Sequence, residues 1–384
     1  MRWVLLSVCL CLVSLTGCGQ PAPNRAQSQD QNVATALNRV ETAIRESDAG
    51  LLPTELGYLA TNAKDLRVRD FTLRWADELA VSGEEVTGSV QVSYRFEGFD
   101  KAETRTTVAM TFSTDGGRTQ LRDIGGHGER EPLWLSGPVV VRGDPDSLAI
   151  LSTSIPQPDQ VRIGRMAGQA ITRVRAVLPD AAPIVVEVPK TVANLEQALL
   201  ASPGEYDNIA AVATSPDGSL VPGTPVHVFV NPDVFFSMNP GGAGVVLTHE
   251  ATHVATGALF AELPAWLREG FADYVALLDA GIPTKVAAQN YLARVRESGL
   301  PDRLPDDAEL DPRSARAGTG YEAAWLLCRS IAEHFGQEKL VRLYRKASDG
   351  GSVPAVIDSV LGISEQELVS LWRSDLQALI RSAG

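Results

Sequence analysis

Cysteine and histidine are both scarce in this chain, with four and five residues respectively in 384. Three of the four cysteines, Cys9, Cys11 and Cys18, fall in the first 18 positions, leaving Cys328 as the only one in the body of the chain. A mature chain with a single free thiol has no intrachain disulfide, whatever its compartment permits. Cys328 stands among Trp325, Leu327, Ile331 and Ala332 on an apolar helix face and is expected to be core rather than a reactive thiol. Positive charge is short as well: 34 Lys and Arg against 47 Asp and Glu give a net charge of −13. Such a surface has no electrostatic means of binding nucleic acid or anionic lipid. No internal repeat is present. Gly241-Gly-Ala-Gly244 has neither the spacing of a phosphate loop nor a strand directly before it, and is read as a flexible rim.

Against that scarcity, two histidines stand together in His249-Glu250-Ala-Thr-His253. With so few histidines, composition predicts far less than one chance match to this pattern. At about 100° per residue on a helix, His249 and His253 lie about 40° apart and can reach one metal ion. Glu250 is turned about 100° from His249, too far round to be a third ligand but well set as a general base beside a metal-activated water.

The third ligand is expected on a second helix. Pro264 suits its first turn, Trp266, Leu267, Phe271, Tyr274, Val275 and Leu278 recur at helical spacing, and Gly281-Ile-Pro283 ends the run. Glu269 and Asp273 share a face of it. Glu269 is assigned to the metal, and Asp273 to the free ring N–H of a ligand histidine. Two imidazoles, one carboxylate and an open position describe a catalytic Zn2+ site rather than a closed structural one.

These residues, with Trp266-Leu-Arg-Glu269-Gly-Phe-Ala-Asp273-Tyr, resemble the gluzincin metallopeptidases, in particular the bacterial peptidase MA-like group. The resemblance covers about residues 180–380. It implies zinc held by His249, His253 and Glu269, Glu250 as base and proton shuttle, and Asp273 supporting a ligand histidine. It also puts an aromatic near the start of the Gly320-Tyr321 helix, making Tyr321 a candidate donor to the oxyanion. The 15 residues between His253 and Glu269 are fewer than in thermolysin-like relatives, so the form of the substrate cleft does not carry over.

Arg2 supplies a positive start, followed by an apolar run over 3–15, too short to span a bilayer comfortably, that closes on Leu15-Thr-Gly-Cys18. This reads as a lipoprotein signal peptide and lipobox over 1–18, with Cys18 lipidated and the protein held at a membrane of the bacterial envelope on its extracytoplasmic side. Residues 19–30 are polar and read as a flexible tether. From 31 to 152 a helical pattern (Val33, Leu37, Val40, Ile44) gives way to strands at 68–75, 85–96, 105–112 and 119–123, with Asp115-Gly-Gly117 as a hairpin turn. That order suggests an α+β unit and resembles the NTF2-like helix-plus-curved-sheet fold. His127, in a glycine-rich loop, has no partner residue nearby in the sequence and is read as a surface histidine.

Residues 153–182 read as a linker helix. The second domain, 183–384, is expected to be zincin-like: a small sheet (183–188, 209–214, 226–230), the metal helix, then a helical half. Val226-His-Val-Phe-Val230 is expected to border the cleft and pair with extended substrate, with His227 an ordinary strand histidine. His334 is a helix C-terminal histidine. The function expected is hydrolysis of peptide bonds in a peptide or protein substrate. The competing class is a catalytically silent lipoprotein whose zincin domain is a scaffold while the first domain binds a ligand or partner.

Overall fold

The computed structural model describes residues 25–311 and 317–382, so the stretch read as signal peptide and lipobox, Cys18 included, and the first part of that read as tether lie outside the described residues. The chain is a mixed α+β protein with two sheets. Helix α1 (Arg25–Glu46) begins within the stretch read as tether and buries Val33, Leu37, Val40 and Ile44 along one face. A second helix, α2 (Tyr58–Asp65), leads into β1 (Val68–Ser82), β2 (Glu85–Phe96), β3 (Thr104–Asp115) and β4 (Arg118–Ile124), an antiparallel sheet in chain order. Asp115 pairs with Arg118 across Gly116 and Gly117, both at positive φ, as a two-residue hairpin turn requires.

This first sheet is bent. β1 slips register against β2 at three places, and each irregularity adds twist. Trp75 folds over Gly88, where a Cβ would lie 2.1 Å from the indole. The edges of a flat four-stranded sheet are about 14 Å apart, three spacings of about 4.8 Å, yet α1 reaches both. Glu41 accepts the N–H of Leu73 on β1 at 2.5 Å, and Arg39 donates to the carbonyl of Thr119 on β4 at 3.4 Å. The sheet therefore curls around the helix, over a core that includes Leu59, Val90, Val108, Phe112 and Trp134.

The second sheet contains β5 (Val139–Asp144), β6 (Ser147–Ser152), β7 (Ile184–Val188), β8 (Ala211–Thr214) and β9 (His227–Val230), ordered β5-β6-β7-β9-β8. Here the structure departs from the boundary read at 152. β6 runs parallel to β7, so 139–152 belongs to the second sheet. Parallel neighbours cannot be joined by a tight turn, and α3 (Gln157–Val177) is their crossover helix rather than a linker. Alternation along the strands divides the sheet between two cores. Leu148, Ile150 and Val185 pack into the core of the first unit. Ala149, Leu151, Ile184, Val186, Val188, Val228 and Val230 face α3 and the helices beyond.

Those helices are α5 (Pro232–Phe235), α6 (Pro240–Thr256), α7 (Ala265–Leu277), α8 (Thr284–Ala287), α9 (Gln289–Ser298), α10 (Ala317–Phe335), α11 (Gln337–Ser348), α12 (Val353–Leu361) and α13 (Glu365–Arg381), whereas α4 (Val192–Leu199) packs Leu195 and Leu199 on Phe229 of the alternate face. The glycine run 241–244 is the first turn of α6 and not a flexible rim. Asn239 caps it by accepting the Gly242 N–H at 2.9 Å, and Pro240 presets the first helical φ. Leu247, Phe271, Leu327, Leu343 and Trp372 are fully buried among these helices, each contributing about 1.5–3 kcal/mol of apolar burial or more. Among the described residues no helix is long and apolar enough to cross a membrane.

Candidate metal centre

Helix α6 presents two faces. Ala243, Leu247 and Ala251 are buried in the core, and His249, Glu250 and His253 are half-buried at the edge of it. The helix stops at Gly257, whose left-handed backbone lets its N–H bond back to the carbonyls of His253 and Val254. This cap fixes the last turn, the one that carries His253.

Helix α7 brings the acidic partners. Its first N–H, that of Ala265, is accepted by Asp307 at 2.8 Å, a favourable place for negative charge. Gly270 then lets α7 lie directly on α10, since a Cβ there would be 2.4 Å from the Ala324 carbonyl oxygen. With α7 so seated, Glu269 and Asp273, one helical turn apart, both face α6.

The ligand atoms of His249, His253 and Glu269 lie within 4.8 Å of one another. Glu269 Oε2 is 3.3 Å from His249 Nε2 and 3.2 Å from His253 Nε2. Its other oxygen accepts a hydrogen bond from Arg268 Nε at 2.8 Å, so a single carboxylate oxygen faces the imidazoles. Asp273 Oδ1 stands 2.7 Å from His249 Nδ1, which turns that ring's Nε2 toward the cluster. Nδ1 of His253 is buried and has no partner among the described residues. Two Nε2 atoms and one carboxylate oxygen, this close together, are a donor set that fits a zinc ion, three protein ligands being one fewer than a closed tetrahedral site uses.

The charges agree with that fit. Burial opposes ionisation of Glu269, but the hydrogen bonds and charge of His249 and His253 hold it well below the usual carboxylate range. Burial also opposes charge on His249 and is outweighed by Asp273 and Glu269, so this imidazole is raised. A ligand set of this kind must give up its protons to a metal, and occupancy is therefore linked to pH.

Glu250 is not part of the three-atom cluster. Its Oε2 accepts the backbone N–H of Ala213 on β8 at 2.8 Å, which ties the carboxylate to the sheet. Burial pushes its pKa up, with His249, His253 and the Ala213 N–H pulling the other way. Tyr321, half-buried near the start of α10, is raised first by burial and then by the charges of Glu269, Asp273 and Glu250.

The remaining sequence expectations divide. β9 cannot border the cleft, because β7 and β8 occupy its two sides; β8 is the edge strand, and four-residue β9 lies inside. His227 is buried in a polar cluster, with Nδ1 2.7 Å from Glu187 and Nε2 3.0 Å from Asp100. His127 is exposed in its loop, His334 sits in the last turn of α10 against Asp375, and Cys328 is buried, its thiol pushed up by burial. Arg268 escaped the sequence reading, although it directly precedes Glu269. The Ala213 N–H, a backbone group, has no side-chain signal that could have revealed it.

No family model and no curated protein matches this sequence. Among solved structures the chain is similar to the crystal structure of an M1 zinc metallopeptidase E323A mutant from Deinococcus radiodurans, at 13% identity and a TM-score of 0.39. The similarity covers 79% of this chain, which spans 61% of that one.

Proposed function

We propose that this chain is a zinc-dependent metallopeptidase of gluzincin type, held at the bacterial envelope by lipid on Cys18, with an NTF2-like first unit and a zincin-like second. The observation that carries the reading is the convergence of His249, His253 and Glu269, with the Glu250 carboxylate beside them and anchored from the sheet. The curled sheet around α1 supports the NTF2-like reading of the first unit.

His249, His253 and Glu269 would hold Zn2+, which when bound lowers the pKa of water towards about 7 and polarises a carbonyl. Glu250 takes a proton from the attacking water and returns it to the leaving amine, its carboxylate kept in one orientation by the Ala213 N–H. Asp273 keeps the proton of His249 on Nδ1, leaving Nε2 free to ligate. Tyr321 donates to the carbonyl oxygen as negative charge grows there. The free side of β8 offers backbone groups to an extended peptide.

The test is metal content and turnover measured together. Purified chain should carry about one zinc, Glu269→Ala should lose it, and Glu250→Gln should keep it while losing cleavage of a quenched-fluorescence peptide library. Retained turnover in Glu250→Gln would remove the mechanism. Full zinc occupancy with no cleavage by the wild type would favour the silent scaffold.

A further inference from the structure

The strand that anchors Glu250 is poorly specified by its own surroundings. β8 has four residues, lies at a sheet edge, and joins β9 through the long loop 215–226, so no tight turn sets the register of the pair. Register matters here. In a strand, N–H groups point alternately to the two sides, and a slip of one residue would aim the Ala213 N–H away from Glu250.

Both shoulders of this hairpin are gripped by the first unit. On the β9 shoulder, His227 pairs across to Thr214 of β8 and is fully buried. Its Nε2 is 3.0 Å from Oδ1 of Asp100, a residue in the connection between β2 and β3, and its ring stacks on Phe96 at 5.7 Å. The other oxygen of Asp100 accepts the Phe96 N–H at 2.8 Å, fixing the carboxylate to the first sheet. On the β8 shoulder, Asp217 Oδ2 accepts the backbone N–H of Arg105 at 3.2 Å. Its Oδ1 accepts Ser215 Oγ at 2.6 Å and the Ser219 N–H at 2.8 Å, tightening the turn that leaves β8. A single segment, 100–105, thus holds both strands of the hairpin where they meet the loop.

We infer that the first unit is a clamp on the cleft strand, and that Asp100, His227 and Asp217 are positioning residues that keep the Ala213 N–H in register with Glu250. The last step of this inference rests on the peptidase reading. The grip on β8 does not, and it can be measured without a substrate.

The experiment is hydrogen exchange on the full chain, wild type beside Asp100→Ala, Asp217→Ala and Asp100→Asn. In both alanine variants, amides of 211–214 should exchange at least about tenfold faster, while 240–256 and zinc stoichiometry stay unchanged. Asp100→Asn keeps an acceptor for Phe96 and a partner for His227, and should restore most of the protection. Asp217→Ala leaves the buried Asp100–His227 pair intact, so it keeps the test open if Asp100→Ala does not fold. Unchanged exchange at 211–214 overturns the clamp, as does a loss of protection spread equally over α3 and α6. With the quenched-fluorescence peptides, the alanine variants should lose kcat as the Ala213 N–H leaves Glu250, and KM should rise as the same strand pairs less firmly with the peptide. A wild type that cleaves none of them would remove the peptidase reading and leave the exchange result standing.

Discussion

Raising the pH from 7.5 to 9.5 should weaken the folded chain by an amount traceable to His227. Burial opposes charge on this imidazole, but Asp100, by charge and hydrogen bond, and Glu187, by hydrogen bond and charge, outweigh it and push its pKa from 6.5 up to about 10. Tyr94 faces the same carboxylates and is raised well above 10 by burial and by Glu187, so it stays neutral across this window. A folded pKa above the unfolded one gives stability that is complete below about pH 6.5 and is lost as pH climbs through about 10. Between those limits folding takes up one proton, a slope of about −1.4 kcal/mol per pH unit. Two pH units then remove about 2–3 kcal/mol, a large part of a total stability of about 5–15 kcal/mol. Urea unfolding of wild type and His227→Gln at both pH values isolates the effect, since all other titrations are common to the pair. The stability gap between them should shrink by about that amount; parallel pH dependences would refute the reasoning.

Asp273→Asn should weaken zinc binding about 10–100-fold in a chelator competition, because the amide no longer holds the His249 proton by charge; unchanged affinity would make Asp273 a bystander. Gly270→Ala should lower thermal stability by about 1–3 kcal/mol, since its methyl meets the Ala324 carbonyl and must part α7 from α10. The same variant should bind zinc less tightly, as Glu269 is displaced with the helix; equilibrium dialysis reads this. Tyr321→Phe should cut kcat about 10²–10³-fold while leaving zinc stoichiometry intact, and a variant with wild-type turnover would assign the phenol to packing alone.

What could be read from the sequence was local. His249, Glu250 and His253 occupy adjacent positions of one helix, Glu269 and Asp273 adjacent turns of another, and helical periodicity alone determines which side chains share a face. The hairpin at Gly116-Gly117 was legible for the same reason. Strand neighbours were not. The alternation through 226–230 identifies a strand, but nothing in it tells that β7 and β8 would flank it, and so the cleft edge was put one strand too far in. His227 draws its partners from 40 and 127 residues away, distances at which no spacing rule operates. The boundary at 152 failed similarly. Pro156-Gln-Pro158 does break the chain, but the break is the start of a crossover helix that returns it to the same sheet.

The second sheet has a solvent-free face on each side, and this decides how the chain can be cut. A fragment starting at 183 would lose β5, β6 and α3, stripping β7 of a neighbour and uncovering the row of valines that α3 shields. A fragment ending at 152 would carry β6 with one edge unpaired and Ala149 and Leu151 facing water. Neither half owns a complete boundary. Proteases that open one unit should therefore find the other already loosened, and the two are expected to persist, or to be degraded, as one body.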